Sequence, residues 1–182
     1  ASPGGDRLAR RGLAGPAPRL MLLTREIVAT YRGPGAVVSR LLAQGPREDR
    51  ALMFVMAACG LFFVAQLPAL SRRAWLEGVD LNPLMGGALL AWLVLAPLGL
   101  YVIAFLSHLV AKVFGGRGTG YGARLALFWG MLASSPLVLL NGLAAGFLGA
   151  GPQLMLVGLI WFVVFLWFWL SGLRVAERGE PV

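Results

Sequence analysis

The stretch ALMFVMAACGLFFVAQLPAL, residues 51 to 70, is twenty residues long and carries no charge. A helix rises about 1.5 Å per residue, so twenty residues cover roughly 30 Å, the thickness of a bilayer's hydrocarbon layer. This run therefore reads as a membrane-spanning helix. Working outward from it, three more runs are long enough to cross: about Leu84 to Val113, about Leu125 to Leu148, and Gln153 to Leu173. The whole composition agrees, with 58% hydrophobic residues, only 13% charged, and a mean hydropathy of +0.77, outside the range of ordinary soluble domains. The expected fold class is all-α, a polytopic helical membrane protein with four transmembrane helices. The second run is long enough to tilt or kink, with Pro97 as the expected hinge. The third carries Pro136 and Asn141 in its middle, and the fourth has six aromatics among its 21 residues.

Upstream the texture changes. Residues 1–23 are rich in Gly, Pro, Ala and Arg without periodicity, and are expected to be disordered or extended. Met21 offers an alternative start, and no apolar core follows it before Arg25 and Glu26, so no signal peptide is expected. Residues 24–46 instead repeat apolar positions at helical spacing: Ile27, Val28 and Tyr31, then Val37, Val38, Leu41 and Leu42. Thr24 suits an N-cap, Pro34 a first helical turn and Gly45 a stop. An amphipathic N-terminal segment of two short helices follows. Two readings stay open: the helices lie on the membrane surface with arginines toward anionic headgroups, or they pack on the ends of the spans. Residues 47–174 then form the transmembrane domain and 175–182 a tail.

The formal net charge is +8 and only one of the 16 Lys and Arg residues is lysine. Nine arginines precede the first span, Lys112, Arg117 and Arg124 lie between the second and third, and Arg174 and Arg178 follow the fourth. The opposite side has only Arg72 and Arg73. By the positive-inside rule this puts both termini and the 114–125 loop in the cytoplasm. Topology thus accounts for the charge, and nucleic acid is not an expected partner. The single cysteine, Cys59, excludes an internal disulfide and reads as a small packing residue.

That loop, FGGRGTGYGARL at 114–125, holds five glycines. Gly118 to Ala123 match G-x-G-x-x-A, but the dinucleotide fingerprint needs a preceding strand and an acidic residue about twenty positions on. Here an apolar helix precedes and an apolar span follows. A P-loop would need Lys and then Ser or Thr where Tyr121 and Gly122 stand. The loop instead reads as a tight turn with Thr119 as a cap. Its surplus glycines imply close backbone approach to another segment, for which the N-terminal amphipathic helices are the candidate.

The run KVFGGRGTGYGARLALFWGMLASSPLVLL, with Gly115, Gly116, Gly118, Tyr121 and Pro136 at its marked positions, resembles the Ypt-interacting-protein (Yip) domain family of polytopic membrane proteins. The amphipathic segment ahead of the first span is similar too, and the likeness covers residues 24 to 178. That family usually has five spans, so this chain looks like a short four-span form. The resemblance implies a bacterial cytoplasmic (inner) membrane location, while the GTPase association of eukaryotic members is not carried over.

Candidate chemistry is sparse. His108, the only histidine, could ligate haem or a pigment. One histidine makes no bis-histidine site and Ser107 lies beside it, so such ligation is not expected and no cofactor or metal is assigned. No span carries a mid-membrane charge of the kind that marks ion pathways. Ser134, Ser135 and Asn141 beside Pro136 are read as partners for the carbonyl freed by the proline or for a neighbouring helix. Glu77 and Asp80 share a loop with Arg72 and Arg73 and lack a nucleophile or base, so no enzyme is expected.

What remains is surface. Gly142, Gly146 and Gly149 at small-xxx-small spacing allow close helix packing. Arg32, Arg40, Arg117 and Arg124 are the candidate contacts to phospholipid headgroups or an acidic partner. Trp161, Trp167 and Trp169 are candidates to face a partner or pigment. The expected function is a non-catalytic accessory or assembly subunit docking on a larger membrane protein complex and on lipid. The alternatives are a small transporter or channel, or a membrane-shaping or trafficking adaptor, and a homo-oligomer is compatible with each.

Overall fold

The computed structural model describes residues 24–178. The expectations for 1–23 and for the end of the 175–182 tail lie outside them. The described chain is helical, with no strand among the described residues. Helix α1 covers residues 24–30, α2 Pro34–Ala43, α3 Glu48–Glu77, α4 Leu81–Val113, α5 Gly120–Phe147 and α6 Pro152–Glu177. Helices α3 to α6 are each long and apolar enough to cross a membrane.

Helix α3 opens with Glu48 and Asp49 in its first turn, where carboxylates meet the positive end of the helix dipole, and stops at Gly78, which is left-handed at φ 64°. It runs past Leu70 to Glu77. The loop expected to hold Arg72, Arg73, Glu77 and Asp80 is therefore mostly helix, and Arg73 and Glu77 form an exposed i,i+4 pair at 3.0 Å. In α4 the irregularity lies one turn before the expected hinge. Pro97 has no N–H, and its ring crowds the carbonyl four residues back. The helix widens to a π turn over Ala91–Leu95, with the Ala96 N–H bonded to the Ala91 carbonyl.

The axis of the bundle is α5. From Tyr121 to Ser135 every side but that of Arg124 is buried, and Trp129, Phe128 and Leu125 are fully enclosed. Helix α3 runs alongside in the same direction. Phe54 meets Trp129 with ring centres 5.0 Å apart, and further along a Cβ on Gly142 would overlap the Ala65 carbonyl and one on Gly146 the Pro68 ring. Removing those methyl groups lets the two backbones touch, and dispersion together with Cα–H···O contact supplies the attraction that lipid cannot. At the end of this seam Gly149 turns left-handed at φ 77°, and Arg72 lies over it and donates from Nη1 to the Gly146 carbonyl at 3.4 Å. A cation at the carbonyl end of α5 is the favourable sign.

Helix α6 runs opposite to α5, with Trp161 donating from Nε1 to Ser134 Oγ at 3.2 Å and Gly130 facing the Trp169 backbone. Helix α4 packs on α3 and α5, through Phe62 against Trp92 and Tyr101 against Phe128, and makes little contact with α6 along most of its length.

The fourth side of α5 is closed by α1 and α2. Thr30, Val37 and Val38 are at most 1% exposed. Trp129 donates from Nε1 to Thr30 Oγ1 at 3.0 Å, and that hydroxyl donates to the Glu26 carbonyl at 2.8 Å. Tyr31 sets its edge against Phe168 at 4.9 Å. Of the two readings left open, the helices pack on the spans. Their turn reaches Trp129, roughly 7 Å along α5 from Arg124.

Candidate functional site at the arginine-rich end

Polar chemistry concentrates where α4, α5 and α6 end on the arginine-rich side. Helix α4 stops at Val113, Gly115 takes φ 87°, and Thr119 starts α5 by accepting from the Gly122 N–H at 3.3 Å. Between them the chain lies across the last turn of α6. The Arg117 N–H donates to the Glu177 main-chain carbonyl at 2.9 Å, and the Gly118 N–H to its Oε2 at 3.1 Å. From α4, His108 Nδ1 lies 2.6 Å from Glu177 Oε1. The pair is well enclosed, with side chains 15% and 8% exposed. It is the only hydrogen bond between α4 and α6 among the described residues.

The glycine surplus has its cause here. A Cβ on Gly116 would sit 2.6 Å from Glu177 Oε2, one on Gly118 would overlap the Ala176 carbonyl, and one on Gly122 would press on Ala176 at 3.0 Å. The segment approached so closely is the end of α6, and not the N-terminal helices as the sequence reading had it. Glu177, placed by that reading in a separate tail, is a buried helical residue at the centre of this cluster.

Of the four candidate headgroup arginines, Arg40 is bonded to Glu26 at 3.0 Å and Arg124 to Glu48. Arg32 and Arg117 form no ion pair among the described residues. Arg117 stands with Arg174 and Arg178 around an open recess of about 590 Å³, lined also by Ala111, Phe114 and Leu173. Beneath α1, partial burial pushes the Tyr31 phenol above its ordinary range.

Elsewhere the structure redistributes the expected residues. Trp161 and Trp169 are half-buried among other rings. Phe62 lies between Trp92 at 5.0 Å and Trp161 at 5.7 Å, and Trp161, Phe165 and Trp169 stack in series at 5.9 and 5.7 Å. Only Trp167 of the three is on the outer surface, 48% exposed. Helical periodicity contains the signal: positions 161, 165, 168, 172 and 176 share one face, and the last two are Gly172 and Ala176. Pro136 frees the Leu132 carbonyl, yet Ser134 donates to Met131 at 3.1 Å and serves the neighbouring helix through Trp161. Asn141 stands beside Gly158, and its Oδ1 is enclosed without a hydrogen-bond partner. Cys59 is part of the buried core. No cluster of three His, Cys, Asp or Glu that could hold a metal occurs among the described residues.

Four apolar helices, three of them packed around the enclosed fourth, define an integral, polytopic helical membrane protein. In comparisons with known proteins, no family model, no curated protein and no solved structure matches the chain. The likeness to the Yip family therefore rests on the quoted residues alone.

Proposed function

We propose that this membrane protein is a non-catalytic accessory or assembly subunit, a Yip-type domain that docks on a larger membrane complex and on lipid. The observation that carries this reading is the contrast between the helices. The central window of α5 is 72% buried, while those of α4 and α6 are 17% and 11% buried and leave long apolar flanks. Those flanks include Leu98, Phe105 and Phe162, and Trp167 stands among them. Such flanks suit partner helices as well as acyl chains, and an outward tryptophan is a frequent anchor in helix and protein contacts. In the proposed setting the protein lies in a bacterial cytoplasmic membrane with its arginine-rich end, and both termini, on the cytoplasmic side.

Purification of a tagged chain from native membranes in mild detergent, with co-purifying proteins, lipids and absorbance recorded together, tests the proposal. A stoichiometric membrane complex, released by substituting Trp167 and Phe162 with alanine, is the expected result. A colourless homo-oligomer carrying only lipid would overturn it and transfer the weight to transport, to be tested by flux in liposomes.

A further inference from the structure

The recess at the arginine-rich end joins three features that separately would be unremarkable surface. Its rim carries Arg117, Arg174 and Arg178, none in an ion pair among the described residues. The one carboxylate in its wall, Glu177, has its oxygens engaged by His108 and by the Gly118 N–H. The loop N–H groups of Gly115 and Gly116 are spent on the Lys112 and Ala111 carbonyls, so guanidinium groups are the donors left for an anion. The rest of the lining, in contrast, includes the apolar Ala111, Phe114 and Leu173, and Phe114 and its neighbour Val113 are 85% and 80% exposed.

Below the recess, α4 and α6 have little contact with each other. Arg174 directly follows the apolar run of the last span, which sets the rim at headgroup height. A volume of about 590 Å³ also falls in the range of roughly 300–1,000 Å³ typical of small-molecule sites.

We infer that this recess binds the phosphodiester headgroup of an anionic phospholipid, with the start of an acyl chain against the apolar side chains of Phe114 and Leu173. Planar arginine forks match phosphate oxygens in a way that ammonium groups do not, and each guanidinium at a membrane surface strengthens anion binding by about fivefold. A free phosphate ester shares the headgroup's chemistry but has no use for the apolar side chains. The inference deepens the lipid part of the proposed function and rests on it, without needing a partner complex.

The test is native mass spectrometry of the purified full chain in a neutral detergent, titrated in parallel with phosphatidylglycerol and phosphatidylcholine. Preferential retention of phosphatidylglycerol is expected, falling about fivefold for each of R117Q, R174Q and R178Q and unchanged in R73Q at the opposite end. Each variant is checked for folding by its elution volume. Equal retention of the two lipids, or undiminished retention in the arginine variants, overturns the inference. Displacement of the lipid by an equal concentration of glycerol 3-phosphate overturns the lipid assignment in favour of a soluble phosphate ester. Anionic lipid bound at this site with no partner complex found would leave the inference standing while the accessory-subunit reading fell.

Discussion

Replacing Glu177 with alanine should loosen the arginine-rich end more than any single surface change. The side chain holds two partners, His108 at 2.6 Å and the Gly118 N–H at 3.1 Å, and both are shielded from solvent. A hydrogen bond to a charged group contributes about 1.5–3 kcal/mol, so losing two costs about 3 kcal/mol at the low end of that range. H108A removes one and should cost about half as much. The two changes share a contact, so the double variant should be less destabilised than the sum by about 1 kcal/mol or more. E177Q, which keeps an acceptor for Gly118, should fall between E177A and the parent. Equilibrium unfolding in mixed micelles by increasing the fraction of denaturing detergent measures all four. An E177A protein within about 0.5 kcal/mol of the parent, or a strictly additive cycle, would refute the claim that this carboxylate clasps α4 to α6.

Further outcomes follow from the packing. Valine at Gly142 drives a side chain into the Ala65 carbonyl and should cost about 1–3 kcal/mol or more in the same assay, whereas valine at Gly86, which has open space around it, should cost less than about 1 kcal/mol. Trp129→Phe removes the bond to Thr30 at about 0.6 kcal/mol, and should show chiefly as faster hydrogen exchange across residues 24–43. Arg72→Ala strips the cation from the end of α5 and should cost about 0.5–1 kcal/mol, read by the same unfolding titration. Arg40→Gln breaks only an exposed pair with Glu26 and should change stability by less than about 0.5 kcal/mol, so a large effect there would mean the α1–α2 pairing has been misjudged.

The spans were legible because hydropathy over twenty residues is a one-dimensional property, and charge counting needs no packing information. The small-xxx-small pattern of Gly142 and Gly146 likewise announced a close helix approach, although it could not name Ala65 and Pro68 as the surface approached. What the chain did not disclose was which sequence-distant segments meet. Glu177 looked like one more charge in a basic tail, because its partners lie 69 and 59 residues away. The glycines of 115–122 correctly implied crowding, but the crowding segment was misassigned for the same reason. Trp161 and Trp169 were read as outward because a fully apolar helix has no polar face to orient it. Only the small residues Gly172 and Ala176, continuing the 161, 165, 168 spacing, mark its inner side.

The enclosure of α5 also bears on how the bundle can enter a membrane at all. Its 18-residue apolar stretch, at a mean hydropathy of 1.6, is the least hydrophobic of the four, and the helix carries Tyr121, Ser134, Ser135 and Asn141. Standing alone in hydrocarbon it would present those groups, and a ridge of bare glycine backbone, to lipid. Helix α3, uncharged through its central run and made earlier in the chain, needs no such help. In the folded bundle the seam of Ala65 and Pro68 covers that backbone on one side of α5, and α6 covers Ser134 and stands beside Asn141 on another.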